Sequence, residues 1–273
     1  LTNPTVDTSS FDISPAGKNK LAFKVQPVDT GASVAVSPSI EVEILDEFDN
    51  RTADTDNIVL SIQTDPSSGA ATLGGTLTQG ATAGVATFND IDIDKAFANY
   101  TVRATLAGIT NPTIDSDQFD ITAGTAVDLV FTTTGHSTTA GVCSSAVTIE
   151  ARDGDSNAAN VGGDTVVTLS EDADMVFHEA SDCSDSAVTD VTISNGTSSK
   201  TFYYKDTKAG TTALGLSSSL NDPTAQNQTI GHAAIHHLTI TDQPVNTVEG
   251  ADINQVDLEA RDEFENVCTG FSG

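Results

Sequence analysis

Residues 110–125 read TNPTIDSDQFDITAGT, and residues 2–17 have a very similar sequence, TNPTVDTSSFDISPAG. An apolar alternating run follows each copy, beginning at Leu21 and Leu129, and a third such run begins at Leu238. The two copies start 108 residues apart. A repeat of this length matches one ordinary domain, because solenoid and propeller repeats are much shorter. The sequence therefore predicts a window from an array of tandem domains.

The predicted division of this window has four parts. Residues 1–17 are the C-terminal strand of a preceding repeat, and residues 18–124 form one complete domain. Residues 125–235 form a second complete domain, and residues 236–273 are the N-terminal part of a further repeat. Neither end is expected to be a natural terminus, so the lack of a signal peptide or membrane anchor says nothing about the parent protein.

Each repeat is predicted to be an all-β immunoglobulin-like sandwich. In Ile40–Leu45 apolar residues alternate with glutamates, which is typical of an antiparallel strand with one face in water. Seven short strands in one domain of this size favour a sandwich. The predicted strands of the first complete repeat are Leu21–Val25, Ile40–Leu45, Ile58–Ile62, Ala71–Leu77, Val85–Phe88, Tyr100–Leu106 and Gln118–Thr122.

The chain is strongly acidic, with 11 Lys and Arg against 39 Asp and Glu and a formal net charge of −28. Such a charge repels nucleic acid and anionic membranes, so neither nucleic-acid binding nor direct membrane insertion is expected in this window. The strict alternation of apolar residues distinguishes the chain from disordered acidic segments.

Cysteines and glycosylation motifs fit an oxidising compartment. Cys143 and Cys183 lie in the second complete repeat and are predicted to form a disulfide, which would stabilise a thin-cored domain; two buried thiols are the alternative. Cys268 has no partner in view, and its mate would lie beyond Gly273 or on another chain. Candidate glycosylation sites are Asn50, Asn99, Asn195 and Asn227.

Several motifs together resemble bacterial immunoglobulin-like surface repeats of the filamin-like and invasin-like group. They are the LAF run at Leu21, the recurrent D-x-x-x-N hairpins, the GVATF segment at residues 84–88 and the DKAFANY segment that ends at Tyr100. The last looks like a tyrosine corner, in which the Tyr hydroxyl bonds to upstream backbone. The second repeat has Thr212 at that place, so its corner must be held otherwise.

The resemblance implies an extracellular array on a bacterial cell: a stalk, sheath, surface layer or filament. Its partners would be neighbouring copies of the same protein or other surface components. The short connection between repeats predicts a rod-like array, unlike a flexible Gly/Ser linker. The resemblance supplies no catalytic residues, and the sequence has no H-E-x-x-H, G-x-S-x-G or phosphate-binding loop.

Two other functions stay open besides this structural, non-enzymatic one. An adhesin module would bind a glycan or protein of a host or neighbouring cell through one surface, such as the hairpin tips. An accessory region of a larger secreted enzyme would leave catalysis to parts of the parent protein outside this window.

The acidic hairpins have two interpretations. In the first, Asp and Asn bond to their own backbone in a tight turn. In the second, clustered oxygen ligands bind Ca²⁺. Immunoglobulin-like topology would let Asp92 and Asp94 of one repeat approach Asp153, Asp155 and Asn157 of the next, as in cadherin junctions. Weaker calcium candidates are Asp46, Asp49, Asn50, Asp262, Glu265 and Asn266.

Two of these hairpins carry an aromatic residue at the tip, Phe48 and Phe264, where exposure would be costly. Each is predicted to pack on the end of the preceding repeat, and contact with a neighbouring chain is the alternative. The second repeat has Asp155 at this position, so the contact is not uniform along the array.

Overall fold

The structure is a computed structural model that describes residues 9–171 and 174–270. The chain separates into two compact units, Leu1–Gly124 and Thr125–Gly273. The regular structure in the described residues is β-strand, and none of them belongs to a helix long and apolar enough to cross a membrane. The all-β fold class is confirmed, whereas the four-part division into repeats stays a prediction.

The described residues of the first unit form eleven strands, seven of them in two facing sheets. One sheet has the order β1-β3-β7 and the other β10-β9-β4-β6, with two smaller pairings, β2 with β11 in parallel and β5 with β8. The strands are β1 Lys20–Val25, β2 Thr30–Gly31, β3 Ile40–Leu45, β4 Asn57–Thr64, β5 Leu73–Gly74, β6 Thr78–Gly80, β7 Val85–Phe88, β8 Asp92–Ile93, β9 Thr101–Thr105, β10 Thr113–Asp115 and β11 Ile121–Thr122.

The core of the first unit follows from the alternation in the sequence. On β3 the side chains of Ile40, Val42 and Ile44 are fully buried, whereas the glutamates between them lie at the surface. A second cluster of buried side chains surrounds Tyr100 and includes Phe119 at a ring-centroid distance of 6.2 Å. The alternating pattern therefore identified the buried face correctly.

The tyrosine corner of the first unit is confirmed. The Tyr100 hydroxyl donates a hydrogen bond to the Lys95 carbonyl oxygen at 2.9 Å, and the ring is fully buried. Burial raises the pKa of this phenol.

Two predicted strands, Ala71–Leu77 and Gln118–Thr122, are wrong in their extent. Residues 71–77 form only the two-residue strand β5, and β6 follows it. Gly75 between them has φ +88°, and a Cβ there would collide with the Asp90 backbone carbonyl. A left-handed residue in such close contact ends the extended conformation, which the alternation alone did not reveal. The predicted strand Gln118–Thr122 is shortened to β11, and the short strands β2, β6, β8 and β10 were missed.

The second unit contains another sandwich followed by a hairpin. Its sheets have the orders β12-β14-β18-β16 and β13-β20-β19-β15-β17, and β21 pairs with β22. The strands are β12 Asp128–Phe131, β13 Ser137–Thr139, β14 Val147–Arg152, β15 Thr165–Ser170, β16 Val176–His178, β17 Asp190–Ile193, β18 Ser199–Lys205, β19 Gly210–Ser217, β20 Gln226–Gly231, β21 His237–Asp242 and β22 Asp257–Arg261.

The second unit holds its corner with a buried aspartate, since it lacks the corner tyrosine. Thr212 Oγ1 donates to Asp206 Oδ2 at 3.2 Å, and the Lys208 backbone N–H donates to Asp206 Oδ1 at 2.8 Å. A tyrosine from another strand, Tyr204, donates to Gln228 Oε1 at 3.1 Å. Burial, together with the nearby Asp206 carboxylate, raises the pKa of Tyr204 to about 12. The corner is thus held by other residues, as the sequence predicted.

The predicted disulfide is confirmed. Cys143 and Cys183 are bonded, with their Cα atoms 5.7 Å apart and 40 positions between them in the sequence. The bridge fastens the turn after β16 to the segment between β13 and β14. Cys268 is a free, buried thiol, and burial raises its pKa.

Candidate functional site

Each acidic hairpin is organised by its first aspartate. Asp46, Asp153 and Asp262 are all buried. In each hairpin one carboxylate oxygen accepts the backbone N–H groups two and four residues later, at 2.9–3.0 Å. The Asn four residues after the Asp donates its side-chain amide to the other carboxylate oxygen at 2.9–3.0 Å. These bonds make the hairpins the tight turns of the first interpretation.

The second carboxylate oxygen of two hairpins reaches much farther along the chain. Asp46 Oδ2 accepts the backbone N–H of Ala16 at 2.9 Å. Asp262 Oδ2 accepts the backbone N–H of Ala233 at 2.7 Å. Both donors lie in the segment that enters the repeat before its first strand. The aspartate therefore fastens the incoming chain to the hairpin, a role that no local pattern indicated.

These bonds also set the charge state of the carboxylates. Desolvation by itself would raise the pKa of Asp46, but the hydrogen bonds from Asn50, Ala16 and Phe48 outweigh it and lower the pKa to about 2. The pKa of Asp262 is lowered in the same way, against desolvation, by bonds from Asn266, Ala233 and Phe264. Both carboxylates are therefore ionised at neutral pH.

The third hairpin also docks on the sandwich that precedes it. Phe264 packs against the core of the second unit, with its ring directly over Gly141. Asn266 Oδ1 accepts the Ala209 backbone N–H at 2.8 Å, and Asn266 Nδ2 donates to the Thr207 carbonyl at 2.8 Å. The ring thus joins the hairpin to the segment after β13, and the side-chain amide joins it to the β18–β19 corner. The prediction that Phe264 packs on the preceding repeat is confirmed.

The first hairpin has the same internal bonds, but its tip faces outward. Phe48 is 68% exposed, and Asn50 is exposed as well. The packing of Phe48 on a preceding repeat stays a prediction.

Equivalent positions of the repeated sequence motifs differ in burial. Leu21 and Leu129 are buried, whereas the third member of this series, Leu238, is 57% exposed. Phe119 and Ile121 are likewise buried. Their counterparts in the first copy of the opening motif, Phe11 and Ile13, are 78% and 87% exposed.

The strong calcium candidates are divided between the two units. Asp94 Oδ1 accepts the Thr72 backbone N–H at 2.7 Å, and Asp92 lies on β8, both in the first unit. Asp153, Asp155 and Asn157 form a hairpin in the second unit. In residues 9–171 and 174–270 no group of three or more His, Cys, Asp or Glu side chains is arranged to hold a metal.

The weaker calcium candidates have other contacts. Asp49 pairs with Lys20 at 2.7 Å, and Glu265 lies 3.4 Å from His237 Nε2. Asp46, Asn50, Asp262 and Asn266 are engaged in the hairpin bonds described above. Calcium binding stays a prediction at every one of these positions. So does glycosylation, for which all four asparagines, Asn50, Asn99, Asn195 and Asn227, are exposed.

Comparisons with known proteins give distant likenesses. No protein-family model matches the chain, and no curated protein matches it. The chain is similar to FdeC, described as a broadly conserved Escherichia coli adhesin, with 15% identity over 95% of this chain and 79% of that one, at a TM-score of 0.38. It is also similar to invasin, described as a bacterial integrin-binding protein. The identity is 14% over 93% of this chain and 48% of invasin, and the TM-score is 0.37.

A third similar structure is a β-glycosidase from Bacteroides vulgatus. The identity is 9% over 78% of this chain and 25% of the enzyme, and the TM-score is 0.34. The chain therefore spans less than half of invasin and a quarter of the glycosidase.

Proposed function

We propose that this chain is a load-bearing segment of an extracellular bacterial protein built from tandem immunoglobulin-like sandwiches. It acts as part of a stalk, sheath, surface layer or filament and carries no reaction of its own. Its partners are further copies of the repeat or other surface components. The high negative charge keeps such an array soluble.

The observation that carries the proposal is the parallel pairing of an early strand with the last strand in each sandwich. In the first unit β2 pairs with β11, and in the second β13 pairs with β20. Tension applied along the chain pulls two such strands in opposite directions, so their hydrogen bonds are sheared together rather than opened one at a time. The bonds include Ala32 N–H to the Thr122 carbonyl at 2.8 Å and Ala140 N–H to the Gly231 carbonyl at 2.7 Å.

The acidic hairpins add a second support at the entry to the repeat. Asp46 and Asp262 each bind a backbone N–H of the incoming segment. A charge-assisted hydrogen bond is about twice as strong as a neutral one. The segment through which tension enters is therefore held at a fixed place.

Single-molecule stretching of the full chain tests the proposal. Each sandwich is expected to give its own force peak. Ala140→Pro removes one donor from the β13–β20 pairing and should lower the peak of the second unit alone, whereas Ala32→Pro should lower that of the first unit alone. Unfolding at forces that neither variant changes would contradict a load-bearing role. Saturable binding of the wild-type chain to a glycan or matrix protein would favour the adhesin alternative instead.

A further inference from the structure

The contact between Phe264 and Gly141 depends on the absence of a side chain at residue 141. A Cβ added there would lie 2.5 Å from Cζ and 2.6 Å from Cε2 of the Phe264 ring, much closer than real carbon contacts. Gly141 also has φ +78°, which side chains rarely adopt. The glycine therefore leaves the space that the aromatic ring of the following hairpin occupies.

The first unit has a serine at the equivalent position. Ser33 and Gly141 each follow the alanine whose N–H bonds to the last strand, and both are left-handed, with φ 55° for Ser33. In sequence order, the hairpin after the Ser33 repeat carries Asp155 instead of an aromatic, whereas the hairpin after the Gly141 repeat carries Phe264. Within this chain, glycine thus goes with phenylalanine, and serine goes with aspartate.

The Phe48 hairpin belongs to the aromatic kind, and its tip is exposed. It matches the Phe264 hairpin in its buried Asp, its Asn at the fourth position and its bond to the incoming segment. The residues just before this unit read as the last strand of a repeat, and their core side chains Phe11 and Ile13 are exposed. The shared hairpin geometry and the exposed Phe48 ring point to a docking surface like the one that receives Phe264.

We propose that Phe48 docks on the end of a preceding immunoglobulin-like repeat, and that this repeat carries glycine at the position equivalent to Gly141. Asn50 then bonds to the corner of that repeat as Asn266 bonds to Thr207 and Ala209. The inference rests on the proposed function, since it requires a tandem array. It adds a requirement for this junction: a glycine in the preceding repeat leaves room for the Phe48 ring, as Gly141 leaves room for Phe264.

The requirement is tested in the full chain with one added repeat, in which the sequence of residues 125–232 is placed directly before Ala16. This join puts Ala16 where Ala233 stands in the natural junction. Phe48→Ala is expected to lower the melting temperature of the extended chain by roughly 4 °C. The same change should leave the natural chain unaffected, because Phe48 is exposed there.

A double-mutant cycle separates the contact from other effects of each change. When the glycine equivalent to Gly141 in the added copy is replaced by Ser, Phe48→Ala should have no further effect on the melting temperature. Phe48→Ala with an equal effect in both backgrounds would overturn the glycine requirement. Concentration-dependent self-association of the natural chain that Phe48→Ala abolishes would show instead that Phe48 binds a neighbouring chain.

The matched control is the natural junction. The cycle of Phe264→Ala with Gly141→Ser in the unextended chain should show the same coupling. If this control couples and the Phe48 cycle does not, only the inference fails. If the control also shows no coupling, hairpin docking contributes nothing to the junction and the proposed array loses that support.

Discussion

Asp262 accepts a hydrogen bond from the backbone N–H of Ala233 at 2.7 Å, across 29 positions of sequence. The same carboxylate also closes its own hairpin through Phe264 and Asn266. One buried side chain thus ties together the turn, the incoming segment and, through Asn266, the preceding sandwich. The aspartate closes the turn in all three hairpins, Asp46 and Asp262 also bind the incoming segment, and docking through the Asn is seen at Asn266.

Replacing this aspartate should release the hairpin. Asp262→Asn keeps the shape but removes the charge and one acceptor, leaving a half-buried N–H without its partner, at a cost of about 1 kcal/mol. Hydrogen exchange at the Ala233 and Asn266 amides should accelerate while the sandwich core stays protected. Glu263→Gln is the control, since Glu263 is exposed and should have no effect. Unchanged exchange in Asp262→Asn would contradict the role assigned to this carboxylate.

Stability should depend on acid pH through the hairpin aspartates. The pKa of Asp46 is about 2 in the folded chain, below the ordinary 3.8. A group with a lowered folded pKa stabilises the fold above its unfolded pKa, and this contribution is lost as the pH falls toward the folded value. The melting temperature should therefore fall between about pH 4 and pH 2.

The comparison that assigns this loss is Asp46→Asn, measured over the same pH range. Its melting temperature should be lower than that of the wild type at pH 6 and should approach the wild-type value near pH 2. Parallel curves for the two proteins would show that Asp46 is not the titrating group.

The disulfide should stabilise the second unit alone. Closing a loop of this length, from Cys143 to Cys183, is worth about 4 kcal/mol in the chain-entropy description. Replacing both cysteines by serine should lower the unfolding transition of the second unit and leave that of the first unit in place. Cys268→Ser serves as the control for the loss of a thiol. Equal loss of stability in both units would show that their unfolding is coupled.

The tight-turn interpretation predicts that calcium leaves the melting temperature unchanged after chelator treatment, whereas the calcium interpretation predicts a rise. The Asp153 carboxylate already accepts hydrogen bonds from Asp155 N–H, Asn157 N–H and the Asn157 side chain. Calcium would have to displace these bonds to be bound there. An upward shift in millimolar calcium that disappears when Asp153 and Asp155 are replaced would establish the junction site instead.

Local sequence patterns determined the class of fold and most of its strands. Alternation of apolar and polar residues marks the buried face of a strand directly, as at Ile40–Leu45, because successive side chains point to opposite faces. The tyrosine corner and the disulfide were also predictable, since each joins residues whose types already limit their partners. The duplication of residues 2–17 at 110–125 revealed the repeat without any structure.

The tertiary structure alone decided what the hairpins do. Asp46 could be assigned to a turn from its neighbours, but its bond to Ala16 depends on how two distant segments pack. The same holds for Phe264, whose place over Gly141 follows from the left-handed backbone there and from the hairpin's approach to the β18–β19 corner. Periodicity records which side of a strand is buried. It carries no information about which distant backbone group will meet a buried side chain, because that depends on the assembled geometry of the sandwich.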